Sequence, residues 1–515
     1  MKATSSLVLA AASLVAAGLV APVYAEQEPG FFKQAGSEPN YVPGDFEPAP
    51  ETIKSRYGKL EFPDGYPTEQ TIATIYDELD LQRATQLYLD MYPALSAHGM
   101  MKGWVRDFDM TDSADVLVTA NRLDSTQLIL TGNTESLYAF MVFDLKANGP
   151  TVVEVPPGVM GPIDDHRFLF LADVGPTGQD RGKGGKYLLL PPGYDGDVPA
   201  GYFVVQAETY MGFSFLRANA DKVGFGDKAL KFYRKNAKVY PLSSGPQEPR
   251  VMNVTGLAAN TLVPEDGDAF RWMHEIISYE PAEAFSKEQL GKLASLGIEK
   301  GKPIDPDARM HKIFAQAAAE GVAMSRVLAF DSRDENAKVY PDRQWESPYI
   351  TNNSTFYQND YINLGARTAF HFTADGITPA MAMQMPEGKG SRYQTTYKDG
   401  EGRPLDGNET YKLNMLPNVP VALFWAVTVY DPWTRSELQS QPYPSISSQQ
   451  EKPPVVNADG SIDIYFSNQK PKDIADSNWV KTLPDQGFFV YIRYYGPLNA
   501  FNEKQWIPND VELVK

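Results

Sequence analysis

The chain has no cysteine among its 515 residues. Thiol nucleophiles, thiolate zinc sites, disulfide staples and a lipid-modified N-terminal cysteine are excluded together, so stability must come from packed cores. Histidine is scarce too. His98, His166, His274, His311 and His371 are the whole supply, which confines imidazole-based metal chemistry from the start. Positive charge is in deficit, with 47 Lys and Arg against 65 Asp and Glu and a formal net charge of −18. No basic stripe interrupts that acidity, so nucleic acid is set aside as a partner. Long apolar runs are missing as well. Leu7–Val20 falls short of the roughly 20 residues a membrane span needs, and Val419–Tyr430 is shorter and contains Pro420.

What is present begins at the N-terminus. Met1-Lys2, the apolar block and Val23-Tyr24-Ala25 have the form of a secretory signal, residues 1–25, cleaved after Ala25. The expectation is a protein of the periplasm or the exterior, with no transmembrane segment in the mature chain. Residues 26–66 are crowded with Pro, Gly and Glu, which predicts an extended N-terminal arm. Ile72, Ile75, Tyr76 and Leu79 recur at helical spacing, and a second helix follows from Gln82 to Tyr92, so 67–100 reads as a helical pair.

Over 101–245 the pattern changes to short strands separated by Gly, Pro and Asn turns, which argues a β-sandwich. Helical periodicity returns within 246–345. Ser286-x-x-Gln289 forms a capping box, Gly297 a stop and Asp305-Pro306 a start, and Met310, Ile313, Phe314, Ala317 and Met324 mark a buried stripe. From 346 to 515 strands dominate again after one short helix at Asp360–Thr368, with hairpin turns at Asp406-Gly407 and Asp459-Gly460. A second sandwich or jelly roll closes the chain. The fold class is multidomain α+β, mainly β.

Each candidate for chemistry has a plainer reading. Asp164-Asp165-His166-Arg167, with Asp173 nearby, offers a general base oriented by a carboxylate. Strand alternation puts Asp164 and His166 on one face and Asp165 on the other; the plain reading is a polar turn before a strand. His274-Glu275 is half of a zinc-protease helix, but Ser278 stands where the second imidazole is needed. Gly182-Lys183-Gly184-Gly185-Lys186 is followed by a strand, not a helix, so it reads as a Gly-rich turn and not a phosphate loop. Asn457-x-Asp459-Gly460-Ser461-x-Asp463 has its glycine misplaced for a calcium loop and reads as a hairpin. No G-x-S-x-G elbow occurs. His311 reads as a boundary residue of its helix and His371 as half-buried in a strand. Trp425, Tyr430, Arg493 and Tyr494, with Trp433 and Tyr495, form an aromatic group suited to stacking on a sugar ring or an apolar ligand.

The run DRGKGGKYLLLPPGY over 180–194, continuing to Pro199-x-Gly201-Tyr202, resembles the signature of the family domain of unknown function 1254. Gln82-Arg83-Ala84, Asp144-Leu145 and Gly149-Pro150 accompany it. Tyr411-x-Leu413, Phe424-Trp425-x-x-Thr428-x-Tyr430-Asp431, Asp459-Gly460-Ser461 with Tyr465, Asn478-Trp479 and Arg493-Tyr494-Tyr495-x-Pro497 resemble the partner family, domain of unknown function 1214. Proline comes later after Trp479 than in many members, a difference confined to one loop. The resemblance implies an immunoglobulin-like β-sandwich over 101–245, a helical segment, and a C-terminal jelly-roll-like β-sandwich over 346–515. It supplies no established reaction.

The functional expectation is an exported cell-envelope protein that binds a small molecule, a glycan or a partner through sandwich surfaces, without cofactor or metal. Two other readings stand beside it. One is a cofactor-free hydrolase or lyase using His166 with Asp164 and Asp173 in an inter-domain cleft. The other is a structural assembly protein, possible as a homo-oligomer.

Overall fold

The computed structural model describes Gly44 and residues 49–514. The signal segment and most of the arm lie outside the described residues. Two compact units divide at Thr74 and Ile75. In the first, β1 (Thr52–Ser55) and β2 (Gly58–Glu61) pair as an antiparallel hairpin. The part of the expected arm that is described is therefore not simply extended.

Two helices open the helical part of the chain, α1 (Glu69–Asp90) and α2 (Tyr92–Asp107). The stripe that suggested the first is not its buried face: Ile72, Ile75, Tyr76 and Leu79 are all exposed. Burial begins later, at Ala84, Leu87, Tyr88 and Met91, where other helices cross. Spacing reported the helix correctly and its buried side wrongly, because what covers a face is set by distant chain.

Residues 115–255 supply β3 (Val116–Val118), β4 (Leu137–Asp144), β5 (Thr151–Val155), β6 (Gly161–Asp165), β7 (Phe170–Val174), β8 (Gly185–Leu190), β9 (Phe203–Gln206), β10 (Met211–Ala218), β11 (Lys238–Pro241) and β12 (Val251–Asn253). A six-stranded sheet runs β12-β3-β4-β10-β6-β7 and a four-stranded one β9-β8-β5-β11. The β12/β3 and β9/β8 pairs are parallel and the rest antiparallel. The sequence of β4, LYAFMVFD, shows how they pack. Leu137, Ala139, Met141 and Phe143 point into a core shared with Val153, Tyr187 and Leu189 of the smaller sheet. Tyr138, Phe140 and Val142 point the other way, onto Met100, Met101 and Trp104 of α2. An unbroken apolar strand is the signature of a sheet covered on both faces.

The helical layer continues with α3 (Asp268–Tyr279), α4 (Lys287–Ser295), α5 (Ala308–Phe330) and α6 (Leu364–Thr373). Ser286 and Gln289 form the expected reciprocal cap. Asp307, not Asp305, caps α5. Among the described residues α5 is the helix long and apolar enough to cross a membrane; here Ile313, Phe314, Ala317 and Ala318 sit in the helical core. The short helix expected at Asp360–Thr368 is displaced, since Asn363 caps α6 and the helix continues to Thr373. His371 is therefore on a helix, fully buried, not half-buried on a strand.

The C-terminal strands are β13 (Ser391–Thr396), β14 (Tyr411–Met415), β15 (Val421–Tyr430), β16 (Ser445–Ser447), β17 (Ile462–Ser467), β18 (Trp479–Lys481), β19 (Phe489–Pro497) and β20 (Val511–Leu513). They form sheets β13-β19-β15-β16 and β18-β17-β14-β20. Alternation on β19 repeats that of β4. Val490, Ile492 and Tyr494 enter the core between the sheets, while Phe489, Tyr491 and Tyr495 turn outward against Phe370 of α6. The architecture is mixed α+β. The aromatic outer faces of β4/β10 and of β13/β19 both look into the middle of the molecule.

Candidate functional site

His166 lies fully buried, but not beside the acids expected to activate it. Its Nδ1 meets Glu280 Oε1 at 2.7 Å and its Nε2 meets His98 Nδ1 at 3.0 Å. His98 Nε2 continues to Glu275 at 3.1 Å, and Lys102 also bonds Glu275. Glu280 closes the inner end, accepting the backbone N–H of Tyr210 and Met211. This Glu275–His98–His166–Glu280 chain ties α2 and α3 to the loop after β6. Asp164 and Asp173 belong to a different neighbourhood. Asp164 is fully buried, and burial, then Asp165 and Asp173, push its carboxyl well above the usual range. Burial likewise pushes Asp173 up to about 6, against the pull of Thr378, Arg217 and Thr177. The proposed trio is not brought together.

The aromatic group divides by strand alternation. Trp425 and Tyr494 are core residues between the two C-terminal sheets, and Tyr494 donates to Gln394 Oε1 at 3.1 Å. Neither is a binding surface. Tyr430 and Arg493 face the other way. Arg493 Nη2 donates to the carbonyls of Thr131 and Gly132 and to Tyr430 Oη at 2.7 Å, while Tyr430 Oη donates to Gly132 O at 2.6 Å. Trp433 is exposed. The His274 ring is held by the Lys302 carbonyl at 2.7 Å. The Gly-rich turn is organised by Asp180, which accepts the N–H of Gly175 at 2.7 Å and of Gly184 at 3.0 Å. Among the described residues no group of His, Asp and Glu is arranged to hold a metal ion.

The inward faces of the two β regions enclose a cavity. Its walls are Tyr138, Phe140, Phe215 and Arg217 from β4 and β10, Met100 and Trp104 from α2, Phe370, Ala374 and Asp375 at the end of α6, and Tyr393, Tyr491 and Arg493 from β13 and β19. The cavity is small, about 70 Å³, room for a few water molecules. Phe215, Arg217 and Met381 also line an adjoining outer cleft of about 440 Å³, within the range of small-molecule sites.

Two guanidiniums dominate the electrostatics. Arg493 is buried and Arg217 half-buried. Burial opposes both charges, and the groups around them are phenols: Tyr393, Tyr138 and Tyr495 for Arg217, and Tyr430, Tyr495 and Tyr393 for Arg493. Among the described residues neither guanidinium is paired with a carboxylate. Asp173 senses Arg217 and Glu437 senses Arg493, and burial pushes both up, Glu437 well above its usual range. Asp375, on the cavity wall, is also pushed up by burial, to about 7. At about 6 Asp173 is still mostly ionised at neutral pH, whereas Asp375 is about half protonated. Two N–H donors among the wall residues, Arg493 Nε and Trp104 Nε1, have no acceptor in the protein. An unpaired buried donor is costly unless an acceptor arrives.

Tyr393 is the opposite case of a shifted acid. Burial pushes its phenol up, but Arg217 and Arg493 more than offset this and bring it down to about 8. Arg217, Tyr393 and Asp375 escape motif reading because three separate elements deliver them. One signal exists in sequence: Arg217 and Arg493 are each the single charge in a strand rich in aromatics, FSFLRA and FVYIRYY.

The comparisons agree with the motifs. Residues 115–241 match the family described as protein of unknown function DUF1254, and residues 390–499 match protein of unknown function DUF1214. The crystal structure of the VPA0106 protein from Vibrio parahaemolyticus is similar at 18% identity and a TM-score of 0.50, over 85% of this chain and 100% of that one. An uncharacterised protein from Burkholderia cenocepacia is similar at 13% identity and a TM-score of 0.38, over 86% and 97%. The first likeness bears on fold alone. No curated protein matches. With both family matches in the order its motifs predicted, the chain is a tandem DUF1254/DUF1214 protein.

Proposed function

We propose that this protein binds a small carboxylate with a flat, apolar body, and that the outer cleft beside Arg217 is its site. One observation carries the reading: Arg217, paired with no carboxylate among the described residues, lines a cleft of about 440 Å³ that is otherwise largely apolar. A carboxylate pairs with that guanidinium, and Phe215, Phe424 and Tyr495 offer faces to the rest of the ligand. Leu423 extends the apolar wall of this cleft, and Lys222 and Lys389 add positive charge to it. The binding surface thus moves from the outside of the sandwiches to a cleft lined by both β regions.

The finer fold and the compartment belong to the same reading. Two sheets sharing one core in each β region support an immunoglobulin-like sandwich and a jelly-roll-like one. The N-terminal leader supports work in the periplasm or outside the cell.

Calorimetric titration with benzoate, phenylacetate and phenylpyruvate tests the proposal, with benzamide and a neutral disaccharide as controls. Saturable binding of the carboxylates is expected, weakened about tenfold or more in Arg217→Met, as loss of a charge-assisted contact predicts. Binding of the disaccharide but none of the carboxylates would refute it.

A further inference from the structure

Three hydrogen bonds run in line between two carboxylates. His166 Nδ1 meets Glu280 Oε1 at 2.7 Å, His166 Nε2 meets His98 Nδ1 at 3.0 Å, and His98 Nε2 meets Glu275 Oε2 at 3.1 Å. The ring centres are 5.2 Å apart with planes 24° from parallel, so the two rings meet end to end through their nitrogens. Both ends of the array are acceptors already. Glu280 Oε1 and Oε2 accept the N–H groups of Met211 and Tyr210, and Glu275 Oε2 accepts from Lys102 Nζ. Each of the three links must therefore be donated by a ring N–H. A neutral imidazole has one N–H, so two neutral rings supply two protons where the array needs three.

We propose that the Glu275–His98–His166–Glu280 array holds one proton beyond those of two neutral imidazoles, and that its release as pH rises opens the outer link and loosens α2 and α3 from the β region behind them. The extra proton belongs to the pair of rings. A second one is refused: burial foremost, then His166 and Lys102, outweigh the pull of Glu275 and bring His98 below its usual range. The inner link is sealed, with the His166 side chain 3% exposed and Glu280 fully buried, whereas His98 and Glu275 reach solvent. Once the proton leaves, two ring N–H groups keep the two inner links, and the His98 Nε2 lone pair faces the Glu275 carboxylate. That contact is repulsive. The remaining charges nearby are engaged elsewhere. Asp165 and Arg167, beside His166 in the chain, pair with each other, and Arg167 also pairs with Glu208. Lys146 and Lys300 bind backbone carbonyls at the end of α3. The array joins His98 on α2 and Glu275 on α3 to His166 after β6 and, through Glu280, to the start of β10, so losing a link slackens the seat of both helices. The unfolded chain gives up such a proton near the ordinary imidazole value of about 6.5, so the contribution is whole below that and is lost as pH rises, over about pH 7–9.

Nitrogen NMR of the whole protein with labelled histidine counts the protonated ring nitrogens of His98 and His166. Three are expected at about pH 7 and two at about pH 9. Amide hydrogen exchange reads the mechanical effect: protection factors along α3 are expected to fall about tenfold over the same range, as loss of one charge-assisted link predicts. Glu275→Gln separates the proton from the packing. Its amide N–H can donate to His98 Nε2, so two neutral rings then satisfy every link, and the Glu275 side chain is 37% exposed, so the fold tolerates the change. This variant is expected to show two protonated ring nitrogens at both pH values and protection that changes by less than about twofold. Two protonated nitrogens in the parent at about pH 7, three at about pH 9, or an equal fall of protection in Glu275→Gln overturns the proposal.

Discussion

Single buried groups set the pH response of this molecule, and two of them oppose each other. His371 is fully buried, stacks on Phe168 at 5.3 Å between ring centres, and has no partner for Nδ1. Burial, then Arg367, brings it down to about 3. The unfolded chain protonates this histidine first, so its contribution is whole above about pH 6.5 and is lost as pH falls toward 3. His371→Phe is expected to flatten that acid-side loss by roughly 2–4 kcal/mol, read from urea midpoints at pH 4 and pH 7. Asp375 behaves in the reverse sense. Its folded carboxyl is raised to about 7, so folding favours its protonated form and stability declines as pH rises from about 4 through 7. Asp375→Asn retains an oxygen for Leu130 N–H and Ser96, and is expected to stabilise the protein at pH 8 by on the order of 2 kcal/mol while changing little at pH 4. Equal effects at both pH values would show that the carboxyl is not the source.

At the scale of elements, close approach matters more than propensity. The middle of α2 carries Gly99 and Gly103, and a Cβ at either would lie 2.6 Å from a backbone oxygen, that of Thr261 or of Asn260. Helix propensity alone favours Gly99→Ala by up to about 1 kcal/mol. The facing atom is main chain and cannot rotate away, so we expect net destabilisation of about 1–3 kcal/mol by chemical denaturation. A neutral or stabilising result would mean that the 260–261 segment yields easily. The capping box at α4 is a simpler case: Ser286→Ala is expected to cost about 1 kcal/mol. Elements of this kind were readable in the chain, because a cap involves residues three apart. The covered side of α1 was not. Its first apolar stripe faces solvent, and only the crossing of α5, where Gly321 admits the Tyr88 ring, decides which side is covered.

Across the whole molecule, the segment from Asp124 to Ser136 binds the two β regions into one body. Thr131 N–H donates to the Arg435 carbonyl at 2.8 Å and Ser125 N–H to that of Pro442 at 3.0 Å. Asn133 donates to Tyr495 Oη at 2.7 Å, and Ser447 to Glu135 at 2.6 Å. Arg493 and Tyr430 fasten the same segment from the other side. The two β regions are therefore expected to unfold in a single calorimetric transition, its enthalpy agreeing with the van't Hoff value. Two resolved transitions would show that these links are weaker than the cores they join.

Sequence by itself determined what depends on neighbours in the chain. Alternation along β4 and β19, turn residues between strands, and the cap before α4 gave the mixed α+β order and the family. They also gave Arg493, a charge set in an aromatic strand. The tertiary structure decided which face of each strand meets which partner. That choice sent Trp425 and Tyr494 into a core, linked His166 to His98 and Glu280 instead of Asp164, and brought Arg217, Tyr393 and Asp375 to one cavity from strand and helix ends far apart in sequence. Local pattern fixes the direction of a side chain relative to its own backbone. Where that direction leads is settled only when separate sheets dock, because desolvation and charge at a site are sums over everything that surrounds it.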